Sequence, residues 1–129
     1  MKIIVIKTDS NIEVKNLEGN IIKEMKDILG GYLEAVRPRE AYKQNLMLPR
    51  TLFCCDEEGL CKNKNFNLIA SILYNGNLSP LMQLIVGDIL IVGEDGEDFR
   101  SLCDGEVNHY LNVLAAMKQA SLNFMESAR

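Results

Sequence analysis

The segment KIIVIK, Lys2 to Lys7, is apolar on both faces of an extended chain, which suits a strand buried in the middle of a sheet. After the turn signal TDSN, the segment IEVKNL places Ile12 and Val14 on one face and Glu13 and Lys15 on the other. The two segments therefore read as a hairpin. The period then changes. In NIIKEMKDILGG, Ile21, Ile22, Met25, Ile28 and Leu29 form one helical stripe, with Asn20 as N-cap and glycine as the stop.

Beyond Gly30 and Gly31, YLEAV is extended again, and Pro38 biases Arg37 away from the helical region. Residues Arg39 to Pro49 read as a loop long enough to be functional or mobile. TLFCC, DEEG and LCK read as a second hairpin. FNLIASILY fits a short buried helix or a strand, and we favour the helix. LIVGDILIV is the strongest strand signal, with Gly87 and Asp88 marking a bulge or bend.

EDGED then turns the chain into FRSL. From Asp104, taken as a cap, a long helix carries Val107, Tyr110, Leu111, Leu114, Met117, Phe124 and Met125 on one stripe. Over 104–126 it spans roughly 33 Å, about the width of such a domain, so its distal end is expected to take part in a homo-oligomer. Strands interspersed with one short and one long helix, without a βαβ rhythm, predict a single α+β domain over residues 1–129. Its sheet is expected to be mixed and mainly antiparallel, with both helices packed on it.

Composition narrows the function. A net charge of -4 disfavours general nucleic-acid binding, which needs a basic face. The longest apolar stretch is broken by Gln83 and Asp88, so no membrane span is expected, and the amino terminus lacks a signal-peptide core; the expected location is cytoplasmic. Reduced thiols are then expected at Cys54, Cys55, Cys61 and Cys103. Adjacent cysteines on a strand point to opposite faces and no CxxC unit occurs, so neither a metal nor a cofactor is expected.

Catalytic patterns are sparse. His109 is the only histidine, and it reads as a helix-surface residue because no GxSxG elbow accompanies it. GEDGEDF lacks the ligand pattern of a calcium loop and reads as a solvated turn. Gly30 and Gly31 follow a helix and precede a strand, the reverse of a phosphate-cradling order, so they are first a helix stop. On the strand beyond, Tyr32 and Glu34 share one side shortly before Arg37 and Arg39. A ring for stacking, a carboxylate for hydroxyls or an amino group and arginines for phosphate form a nucleotide-sized constellation, against the plainer reading of an edge strand with a basic loop.

LGGYLEAV, CCDEEGLCK, NFNLIAS, IVGDILIVG and EDFRSLCDGEV, in this order and spacing, resemble the domain of unknown function family 3846, small proteins of phages and mobile elements. The family pattern falls on Gly30, Gly31, Tyr32 and Glu34, on Glu58 and Gly59, on Asn67 and Ala70, on Gly87 and Asp88, and on Phe99, Ser101 and Leu102. The approach to Asn67 reads NKNF where the family typically has a proline, and the last helix extends past the family core. The resemblance brings no catalytic residues. It implies a small anti-defence accessory protein.

The leading expectation is therefore a non-catalytic, oligomeric protein that sequesters an anionic, nucleotide-derived immune signal through Tyr32, Glu34, Arg37, Arg39 and Asn67, with Arg50 or Arg100 as further phosphate donors. Gly30, Gly31 and Gly87 would shape the backbone around it. The alternatives are an inhibitor that binds a host or defence protein through the acidic turns 56–58 and 94–98 or the apolar helix face, and a cyclic-nucleotide phosphodiesterase using His109, Glu34 or Asp88.

Overall fold

The computed structural model describes residues 1–127. Their elements, in chain order, are β1 (Lys2–Ile6), β2 (Ile12–Asn16), α1 (Ile21–Leu29), β3 (Leu33–Val36), α2 (Arg39–Lys43), β4 (Thr51–Asp56), α3 (Leu68–Asn75), β5 (Ile89–Asp95), β6 (Asp98–Arg100) and α4 (Asp104–Ser127). The fold is α+β. The strands form one sheet in the order β2-β1-β5-β4-β3, with β6 folded back on β5, and the strand pairs are antiparallel.

The sheet is covered on both sides, as the pattern of its inner strands demands. Ile3, Val5, Leu90 and Val92 pack under α1 with Met25 and Leu29. Ile4, Ile6, Phe53, Ile89 and Ile91 face α2, α3 and α4. An inner strand with both faces dry reads as an unbroken apolar run, as β1 and β5 do. Local signals set most boundaries. Asn20 accepts the Lys23 N–H at 3.2 Å to start α1, and Gly30, at φ 72°, stops it in the left-handed conformation. Among the described residues no helix is long and apolar enough to cross a membrane.

Four expectations change. LCK forms no returning strand: residues 57–63 are turns, and β4 pairs with β3 and β5 instead. Gly87 and Asp88 precede β5 rather than bending it. The 39–49 loop contains α2 and is pinned. Leu48 N–H donates to the Tyr110 hydroxyl at 2.8 Å, His109 Nε2 bonds the Leu46 carbonyl oxygen at 2.9 Å, and the Tyr42 hydroxyl donates to the Thr51 carbonyl. Finally, Asp104 does not cap α4. The Glu106 carboxylate takes the Cys103 N–H at 2.9 Å in capping-box fashion, while Asp104 pairs with Lys2.

Helix α4 buries Val107, Tyr110, Leu114 and Met117, whereas Leu111 and Phe124 stand exposed. The Met125 side chain lies outside the described ones.

Candidate functional site

Strand β3 joins two charged corners. At its start, the Asp56 side chain is 2% exposed and its Oδ2 lies 3.0 Å from Lys62 Nζ and 2.7 Å from Lys64 Nζ. The Glu58 N–H donates to the other carboxylate oxygen at 3.0 Å. Burial alone would raise the Asp56 pKa, but these three donors outweigh it and hold the carboxyl well below the usual carboxylate range. The same lysines reach the last carbonyls of α1, Lys62 to Gly30 and Lys64 to Leu29. Positive charge thus meets the negative end of the helix. A Cβ on Gly31 would stand 2.4 Å from both Asp56 Oδ2 and Lys62 Nζ. The paired glycines are therefore a helix stop followed by a close approach.

At the far end of β3, Arg37 grips Glu94 through both guanidinium nitrogens, at 2.8 Å for the Nη1–Oε1 bond, and holds the Glu94 carboxyl below its ordinary pKa. Arg100 makes a two-pronged pair with Glu106 at 2.8 and 2.9 Å and also donates to the carbonyls of Arg50, Glu94 and Ser101. A guanidinium has five N–H groups, and here all five are engaged. Arg100 holds the Glu106 carboxyl down to about 2, against the opposing effect of burial.

The structure therefore divides the seven predicted ligand contacts. Tyr32 and Glu34 lie on the side of β3 that Val36 turns toward α2–α4. Arg37 turns the other way, to Glu94, which follows Leu90 and Val92 on the α1 face of β5. Along the strand, Tyr32 and Arg37 are about 16 Å apart. Asn67 is fully buried. Its oxygen caps α3 through the Ala70 N–H, and its nitrogen donates to the Ile6 and Gly87 carbonyls at 2.9 Å, so it ties three segments together inside the fold. Gly87, at φ 78°, supplies one of those carbonyls. Tyr32, Arg39 and Arg50 remain exposed, with Arg50 4.0 Å from Asp95.

The residues weighed for hydrolysis come from separate elements, and no hydrogen bond links them. His109 belongs to α4, Glu34 to β3, and Asp88, ahead of β5, accepts the Thr8 N–H at 3.0 Å. Cys54 and Cys55 point into opposite layers. Burial pushes the Cys54 thiol up to about 12; burial, then the charges of Glu34 and Asp56, push Cys55 up to about 11, so both stay protonated at neutral pH. Among the described residues no three His, Cys, Asp or Glu side chains stand together as a metal-ligand set.

The open surface offers shallow grooves. One, of about 450 Å³, has Met1, Ile21, Ile22 and Phe99 as its floor and Asp95, Glu97 and Asp98 as its rim. A second, of about 360 Å³, lies between residues 66–84 and the end of α4 and is lined almost wholly by apolar side chains, Phe66, Leu78, Met82, Leu84 and Phe124 among them. Sequence reasoning missed the first because its floor comes from α1 and the β5–β6 hairpin, which are far apart in the chain. It missed Lys62 and Lys64 because nothing local marks a lysine as the cap of a distant helix.

No curated protein and no solved structure matches this chain. One family model does, over residues 1–115 of 129, and its end falls within α4. That span covers the glycine corner, the arginine corner and the whole sheet: the chain belongs to the family described as Domain of unknown function (DUF3846).

Proposed function

We propose that this chain acts by binding rather than by chemistry, as a phage or mobile-element accessory protein that captures a partner protein of the host or of its defences. The observation behind this reading is the groove beside the β5–β6 hairpin, with its apolar floor and acidic rim. Glu97 and Asp98 take part in no ion pair among the described residues, and Ile22 is 42% exposed. An apolar floor beneath unpaired carboxylates matches a segment in which apolar side chains alternate with lysine or arginine. An anionic nucleotide would be repelled there.

The test is affinity capture from host lysate by the native chain and by a Glu97→Gln, Asp98→Asn variant. One protein should be retained by the native chain, released by moderate salt, and lost with the variant. Equal recovery on both would remove this groove from consideration.

Sequestration of a nucleotide-derived signal remains a second reading, supported by the exposure of Tyr32, Glu34, Arg39 and Arg50 on and around edge strand β3. Its test is a thermal-shift panel of mono-, di- and cyclic nucleotides and ADP-ribose derivatives, since a ligand at a hundred times its Kd adds about 2.7 kcal/mol of stability. No shift across the panel would end that reading. A shift that survives the joint Arg39→Ala and Arg50→Ala change would relocate the site.

A further inference from the structure

The second groove is built differently. Residues 66 to 86 contain no Asp, Glu, Lys, Arg or His, in a chain where a quarter of all residues are charged. The segment nevertheless reaches the surface: Leu81 is 94% exposed, Leu84 55% and Phe66 41%. Helix α4 extends this surface. Ser121 is its last buried residue among the described side chains, and Leu122 and Phe124 follow at 47% and 54% exposure. A second apolar hollow, of about 330 Å³, adjoins the first through Leu78 and continues along α4 past Met117. Together they form a strip with both a depression and, at Leu81 between the lining residues Pro80 and Met82, a projection.

We propose that a second copy of this chain covers this strip, forming a two-fold dimer in which each Leu81 enters the other copy's groove. The charge pattern selects this occupant. In a two-fold contact the residues near the axis meet their own copies, so any charge there faces the same charge. A patch without charges avoids that repulsion, and this strip provides one in a chain of net charge -4. The depression and the projection lie on one segment, which is the self-complementarity such contacts require. The dimer leaves the acidic groove of the proposed function open, since that groove is built from α1 and the β5–β6 hairpin.

Sedimentation equilibrium across the micromolar range tests this. The native chain should sediment at twice its 14.5 kDa mass. Leu81→Glu and Leu84→Glu should each raise the dimer Kd at least ~100-fold, because each new carboxylate is buried twice per dimer without a partner. At its exposure Leu81 contributes little to the core, so its variant should melt as the native chain does when both are monomeric. With Cys61→Ser and Cys103→Ser also introduced, Leu81→Cys gives a positive readout as an intermolecular disulfide under mild oxidation. A native chain that stays monomeric, whether or not its groove takes up lipid or another protein's helix, overturns the proposal. So does a dimer that survives both glutamates.

Discussion

The two ends of β3 carry similar chemistry in opposite settings. At the glycine corner one carboxylate, 2% exposed, is shared by two lysines that also close a helix. At the arginine corner the Arg37 side chain is 57% exposed although it holds its partner with two bonds. Desolvation makes the first cluster the costlier to break: once its partners are removed, a carboxylate this buried is left without compensation. The second keeps its guanidinium mostly in water, though Glu94 is 18% exposed, and contributes less. The glycine pair thus belongs to the folding machinery, and the arginines that invited a phosphate are split between internal struts and open surface.

The sharpest break would come from Asp56→Ala. It should cost about 3 kcal/mol in urea unfolding, with a melting point lower by roughly 10 °C, because two lysines lose the charge that draws them inward. A loss no larger than that of Arg37→Ala would erase the contrast. Gly31→Ala should follow at about 2 kcal/mol, since the new Cβ must displace the Asp56 carboxylate or the Lys62 amine. Combined with Asp56→Ala its effect should be less than additive.

Acid should separate the corners as well. The Asp56 carboxyl is depressed in the folded state, so its contribution is complete above the ordinary carboxylate pKa and is lost as pH falls below about 4. Glu106 contributes in the same direction, and its contribution is lost between its ordinary value and about 2. Asp56→Asn and Glu106→Gln should therefore each flatten stability between pH 4 and pH 2, Glu106→Gln starting at the higher pH and Asp56→Asn continuing to the lower. Smallest of all, Arg37→Ala should shift the melting point no more than a neutral surface change at Lys15.

Much of this fold was legible because its signals are local. The double-faced apolar run of β1, the Asn20 and Gly30 ends of α1 and the turn at Gly96 depend on near neighbours. The candidate site was less legible because its chemistry is settled by distant partners. Arg100 resembles a free phosphate donor until Glu106 and the carbonyls of residues 50, 94 and 101 consume its hydrogens. Asn67 resembles a polar contact until Ile6 and Gly87 claim its amide. The expected hairpin after β4 failed for the same reason, since 57–63 turns to deliver lysines to a helix end some thirty residues upstream.

The strand order has a consequence for the chain as it is made. β5 lies between β1 and β4, so the first 88 residues can form two separate ladders, β1 with β2 and β3 with β4, each with an open inner edge. Until the ribosome releases Ile89 to Asp95, those edges are available to other nascent chains as readily as to their proper neighbour. The interval between the emergence of β4 and that of β5 therefore sets how long the protein is at risk of aggregating before its last inner strand arrives.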